Sequence, residues 1–172
     1  IDGTRAYLAG RDDWCVSVAL VEDASPLLAA VFAPVTDEFF VAARGQGASC
    51  NNVPVCASTG DTLDFSRIAG PKPLVERLDR SRSEVVLYPR IGSLALRLCR
   101  VADGRIDAAF AGGQSRDWDL AAAEWSGQEA EGRRTSREGE ASLYNRAEVT
   151  HGVLLAAGHG RHARIVTHFQ KH

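Results

Sequence analysis

Asp2, Gly3 and Thr4 set a carboxylate, a glycine and a hydroxyl side by side at the start of the chain. Backbone amides at a helix start favour an oxyanion, glycine lets it approach closely, and a neighbouring carboxylate can hold a hard cation that neutralises ester oxygens. The chemistry this trio suits is phosphate binding with a divalent metal; a plain Asp-Gly turn is the bland reading of the same residues. A second acidic pair, Asp117 and Asp119, brackets Trp118 and runs into Leu120 and the alanines Ala121 to Ala123. Acidic side chains in a first turn gain from the helix dipole with or without a ligand. The small residues behind them let such a helix pack closely, which fixes whatever its first turn presents.

The elements that must carry these residues follow from periodicity. Trp14 to Val21 is apolar and β-branched, Leu27 to Ala33 follows a turn at Asp23 to Pro26, and Glu38 to Ala43 makes a third strand closed by Gly45-Gln46-Gly47. The first third is therefore an antiparallel β-meander. Pro71 to Arg82 has Leu74 and Leu78 on one helical face, and Glu84 to Tyr88 is a short strand ended by Pro89. Ser93 caps a helix running to Ala102, with Gly104 as its stop, and Ile106 to Ala111 is a strand. Asp117 to Ala130 is a helix, Gly132 to Glu140 a loop or weak hairpin, and Gly152 to Ala157 a buried strand. Gly158 turns that strand into a last amphipathic helix around His162 to Val166. A meander followed by alternating helices and strands, with no repeat, predicts an α/β layered sandwich.

With 172 residues, 45% hydrophobic and 24% charged, the chain suits one domain with a real core. A net charge of -2, with the 20 basic residues scattered among acids, leaves no electrostatic footprint for a nucleic acid polymer. Apolar runs such as Leu27 to Ala33 fall short of the roughly 20 residues a membrane helix needs, so no membrane partner is expected. Cys15, Cys50, Cys56 and Cys99 are irregularly spaced and fit reduced thiols of a cytoplasmic protein better than a zinc site or disulfide framework. His159, His162, His168 and His172 are expected to face solvent, Asp12-Asp13 to form a solvated turn, and Arg133 to Arg137 a solvated loop. The chain contains no methionine, so its translation start is expected upstream of Ile1.

Taken together, the two acidic segments resemble the paired signatures of the inositol monophosphatase family, Asp-Pro-Ile-Asp-Gly-Thr and a later Trp-Asp-hydrophobic-Ala. Ile1-Asp2-Gly3-Thr4 and Trp118-Asp119-Leu120-Ala121 stand in the family's order, the first beginning at its Ile. Gly45-Gln46-Gly47-Ala48 followed by Asn51 resembles the glycine turn after that family's meander, and Gly92-Ser93 resembles its substrate-side loop. The resemblance covers nearly the whole of residues 1–172. It implies a partial domain, the C-terminal two thirds of a sugar-phosphatase-type αβαβα sandwich whose N-terminal part is missing.

The same resemblance implies magnesium ligands at Asp2, Asp119 and the Ile1 carbonyl, phosphate contacts at Gly3 and Thr4, and substrate contacts at Gly92 and Ser93. Thr4 would orient the water. Two or three Mg2+ ions in an intact relative would activate that water for in-line attack on phosphorus. It further implies lithium sensitivity, a small phosphorylated metabolite as partner, and the homodimer common in the family. Inositol 1-phosphate and 3'-phosphoadenosine 5'-phosphate both stay open as substrates. Gly112-Gly113 stands where inositol-phosphate-specific members tend to have a glutamate, which tilts the balance slightly toward the nucleotide or a broad specificity. The pattern's Asp-Pro aspartate and an upstream glutamate are absent, and Trp125-Ser126-Gly127 departs from its aliphatic continuation. The rival expectation is therefore a catalytically incomplete fragment or a noncatalytic interaction protein of the same fold, with the meander's edge and apolar face exposed.

Overall fold

In the computed structural model the described residues are 1–79, 84–113, 115–117, 120–122, 129–130, 132–136, 144 and 150–171. The helices are α1 (Thr4–Leu8), α2 (Lys72–Asp79), α3 (Leu94–Ala102) and α4 (His159–Lys171); Asp117 and Leu120, Ala121 and Ala122 are helical as well. Five strands, β1 (Val16–Glu22), β2 (Ser25–Ala33), β3 (Glu38–Ala43), β4 (Gly47–Cys50) and β5 (Val53–Pro54), form the expected antiparallel meander in sequence order. Its first turn is tighter than expected. Asp23 and Ala24 both adopt left-handed backbone, so Pro26 lies inside β2 opposite Val21, where the register shifts. Proline donates nothing to a ladder, and a bulge beside it absorbs the gap. Asn51 and Asn52, also left-handed, add the short hairpin β4–β5 that periodicity did not resolve.

The second sheet combines β6 (Arg67–Ala69), β7 (Val86–Leu87), β8 (Ala108–Ala111), β10 (Gly132–Ser136) and β12 (Leu154–Gly158) in the order β10-β12-β8-β6-β7. A small ladder joins β9 (Ser115–Arg116) to β11 (Thr150–His151). In the segment expected as a loop or weak hairpin, Gly132 to Ser136 form an edge strand, each residue pairing antiparallel with β12. Arg133 stays exposed on it while Thr135 turns inward, an alternation that the surrounding charges obscured. Arg137 to Glu140 and the Trp125-Ser126-Gly127 segment lie outside the described residues.

Burial stacks these elements into layers. The inner face of the meander, with Ala29, Val31, Phe40 and Ala42, packs on α3 and on Leu120, Ala121 and Ala122, which pack in turn on Ala109, Ala111 and Leu154 of the second sheet. That sheet's other face, with Ile68, Phe110 and Leu155, is covered by Val75 and Leu78 of α2 and Ile165 of α4. The order is sheet, helices, sheet, helices. On the meander's outer face Val16, Val18, Leu20, Leu28, Phe32 and Phe39 are exposed, with Val18 and Leu20 more than half accessible. This is the open apolar face expected from the sequence. Among the described residues no helix is long and apolar enough to cross a membrane.

Candidate active site

The N-terminal trio is held between the start of β1 and the start of α3. Asp2 bridges antiparallel to Cys15 just before β1, its amide donating to the Cys15 carbonyl at 2.8 Å and its carbonyl accepting the Cys15 amide at 3.0 Å. The Asp2 side chain reaches the start of α3: its Oδ2 accepts the Ser93 hydroxyl and the Ala95 amide, both at 2.6 Å. Ser93 is the N-cap expected from the sequence, its Oγ accepting the Leu96 amide at 2.9 Å. Because that hydroxyl has one proton and gives it to Asp2, the Cys15 thiol, 3.2 Å away, is the donor to Ser93. Burial, and then the nearby Asp2 charge, raise the Cys15 pKa to about 11 against the bond to Ser93, so the thiol keeps its proton.

Gly3 caps α1 in left-handed backbone with φ 84, and a Cβ there would sit 3.1 Å from the Asp13 carbonyl, the Ser93 amide nitrogen and the Trp14 Cα. Both the backbone angle and the crowding demand glycine. Its carbonyl accepts the Ala6 and Tyr7 amides, while the amides of Gly3 and Thr4 and the Thr4 hydroxyl make no hydrogen bond among the described residues. Thr4 is exposed. Tyr7 packs edge-on to Trp14, ring centroids 4.9 Å apart, and walls one side of the loop.

Asp13 is the first correction. Far from a solvated turn, its carboxylate accepts the Gly92 amide, pairs with the Arg11 guanidinium at 2.8 Å, and its carbonyl accepts the Ser93 amide at 2.9 Å. Burial alone would raise its pKa; Arg11 and the Gly92 amide reverse this and lower it. The amides of Gly92 and Ser93 are both taken by Asp13. Arg97 braces the same loop, donating to the carbonyls of Ile91 at 2.9 Å and Phe110 at 3.0 Å.

The second acidic segment is anchored through Asp117, whose Oδ1 accepts His151 Nε2–H at 2.6 Å, with buried Tyr144 5.5 Å from the imidazole centroid. Asp119 itself lies outside the described residues. Of the C-terminal histidines expected in solvent, His162 is buried on Thr135 at 3.0 Å and His168 reaches the Arg77 carbonyl at 3.2 Å; His159 is exposed and His172 lies outside the described residues. All four cysteines are reduced thiols, none in a disulfide.

Fit to a metal can be judged from Asp2. One carboxylate oxygen is fixed by two donors while Oδ1 has no hydrogen-bond partner among the described residues, and hard oxygens of this kind suit magnesium. Among the described residues no group of three acidic, histidine or cysteine side chains is close enough to hold an ion, so Asp2 would supply one ligand of a larger set.

A family model described as the inositol monophosphatase family matches residues 1–172. The chain belongs to the inositol monophosphatase family. Among curated relatives, Nus factor SuhB of Xylella fastidiosa is 37% identical over 135 residues, covering 71% of this chain and 47% of that protein. The chain therefore spans about half the length of that relative. The solved inositol monophosphatase of Anabaena superposes with a TM-score of 0.84 at 26% identity, over 99% of this chain and 69% of its own. The extragenic suppressor protein suhB of Bartonella henselae superposes with a TM-score of 0.85 at 28% identity, over 99% of this chain and 66% of its own. The layered α+β architecture is thus that of the inositol monophosphatase family.

Within that family frame, the sequence singled out Asp2, Gly3, Thr4, Gly92 and Ser93, and the fold gathers all five. Asp13, expected in a solvated turn, Cys15, expected as a plain reduced thiol, and Arg97 and His151 were not read as parts of the site, because their partners lie about 80 residues away for Asp13 and Cys15 and on other elements for the rest.

Proposed function

We propose that the protein carrying this chain is a magnesium-dependent phosphomonoesterase acting on a small phosphorylated metabolite, 3'-phosphoadenosine 5'-phosphate or inositol 1-phosphate. The observation that carries the reading is the arrangement around Asp2: one carboxylate oxygen held by Ser93 and Ala95, the other open, beside unclaimed amides at Gly3 and Thr4. Asp2, Asp119 and the Ile1 carbonyl would hold the metal, which when bound neutralises phosphate charge and lowers the pKa of water. Gly3 and Thr4 amides would receive the phosphate oxygens, the Thr4 hydroxyl would orient the water, Ser93 and Ala95 would hold the Asp2 carboxylate in place, and the Gly92-Ser93 loop would border the substrate.

The test is magnesium-dependent phosphate release from both substrates, with Asp2→Asn and Asp119→Asn as companions. Each substitution is expected to lower kcat by at least about 100-fold, because a carboxamide is a far poorer ligand than a carboxylate for a hard cation. A folded, magnesium-loaded protein that releases phosphate from neither substrate sinks the reading.

A second reading, a noncatalytic interaction protein of the same fold, is favoured by the open apolar face of β1, β2 and β3. It would require that Leu20→Lys with Phe32→Lys abolish association with other chains while phosphate release is absent throughout. Association unchanged by the two lysines would remove it.

A further inference from the structure

Asp13 accepts no hydrogen bond from Asp2 or from the amides of Gly3 and Thr4, yet it ties the loop after α1 to the start of α3. Its carboxylate takes the Gly92 amide and, bidentately, the Arg11 guanidinium at 2.8 and 3.2 Å; its carbonyl takes the Ser93 amide at 2.9 Å. Ser93 in turn fixes Asp2 Oδ2 at 2.6 Å and receives the Cys15 thiol. Gly92 lies directly beneath the pair: a Cβ there would sit 2.8 Å from an Arg11 guanidinium nitrogen, 2.9 Å from Asp13 Oδ2 and 2.9 Å from the Ala6 Cβ, so a larger residue would displace the pair. Asp13 is mostly buried, whereas Arg11 is half exposed, which makes Arg11 the outer bolt and Asp13 the inner one.

We propose that Asp13 is a positioning residue: by claiming both the Gly92 and Ser93 amides it sets the Ser93 hydroxyl, and through that hydroxyl it aims the free oxygen of Asp2 at the metal. This rests on the reading of Asp2 as a metal ligand. The loop before β1 and the start of α3 would otherwise be joined only through Asp2 and Cys15, and the carboxylate could turn about its own side-chain torsions. Partners behind a metal ligand fix its orientation and so contribute to affinity without touching the ion.

The test is a Mn2+ binding isotherm on the full chain together with mapped alkylation of its four cysteines. Asp13→Ala is expected to raise the Mn2+ Kd about tenfold at unchanged stoichiometry, the lower end of what losing an outer partner costs a metal site. It is also expected to open Cys15 to alkylation while Cys99 stays protected, since a general loss of fold would expose both. Asp13→Asn retains an oxygen for the Gly92 amide and is expected to stay within about threefold of the wild type. Wild-type Mn2+ affinity in Asp13→Ala, or a Cys15 that stays protected, overturns the clamp. Should Asp13→Ala lose its fold, as reported by Cys99, Arg11→Gln takes its place: removing a half-exposed ion pair is expected to raise the Kd by about threefold, and an unchanged Kd overturns the proposal. A wild-type chain that binds no Mn2+ overturns the metal role of Asp2 instead, and Cys15 alkylation then decides the clamp by itself.

Discussion

Replacing Glu38 by glutamine should destabilise the protein by an amount that depends on pH. Glu38, at the start of β3, holds the far end of α3: its carboxylate accepts Arg100 Nη1 at 2.8 Å, Arg105 Nη1 at 2.6 Å and the Thr36 hydroxyl at 2.6 Å, and its side chain is 14% exposed. Burial alone would raise its pKa. The bonds from Arg100, Thr36 and Arg105 more than reverse this and take it from the ordinary 4.5 to about 2. At about 1.4 kcal/mol per unit, the difference amounts to about 3 kcal/mol of stability at neutral pH, the size expected when one partner of a buried ion pair is removed. The folded value lies below the unfolded one, so the contribution is complete above pH about 4.5 and is lost as pH falls toward about 2. Urea unfolding of Glu38→Gln against the wild type should therefore show a deficit of about 3 kcal/mol at pH 7, shrinking to about 1.5 kcal/mol at pH 3. An equal deficit at both values would refute the electrostatic reasoning and assign the loss to packing.

His162 should set an acid limb of its own at higher pH. Burial, with the charges of Arg133 and His159 adding to it, lowers its pKa from 6.5 to about 4, so stability present above pH about 6.5 declines as pH falls toward 4. His162→Gln is expected to flatten Tm between those values, and a limb of unchanged slope would contradict the assignment. Gly158→Ala should destabilise by about 3 kcal/mol in chemical denaturation, because its Cβ would meet the Ser58 carbonyl oxygen at 2.2 Å. Wild-type stability in that variant would mean that the 57–59 segment yields freely.

The parts of the fold legible in sequence were those with local causes. The alternation of β1, β2 and β3, the Ser93 cap and the apolar run of β12 all depend on neighbours within a few residues, and all are present. β10 escaped notice because its charged residues mask an alternation that only the partner strand β12 reveals, and β6 because a strand of three residues carries too little periodicity. In the site, Asp2, Gly3 and Thr4 announce themselves as adjacent residues of complementary chemistry. Asp13 does not: two adjacent aspartates look alike, and what separates Asp13 from Asp12 is an amide 79 residues away. The buried state of His162 is equally a tertiary fact, created by Thr135 on a strand whose local pattern reads as a loop or weak hairpin.

The open outer face of the meander changes what must specify strand alignment. A one-residue slip between β2 and β3 would exchange the inner set, Ala29, Val31, Phe40 and Ala42, for Leu28, Phe32 and Phe39, which are just as apolar. Where one face is polar, such a slip is forbidden by hydrophobicity; here that discrimination is absent. Alignment must come from backbone geometry instead, through the paired left-handed residues Asp23-Ala24 and Asn51-Asn52 and the single left-handed Asp37 between β2 and β3. The meander stores its register in its turns, so residues at those five positions matter to the fold more than their exposure suggests.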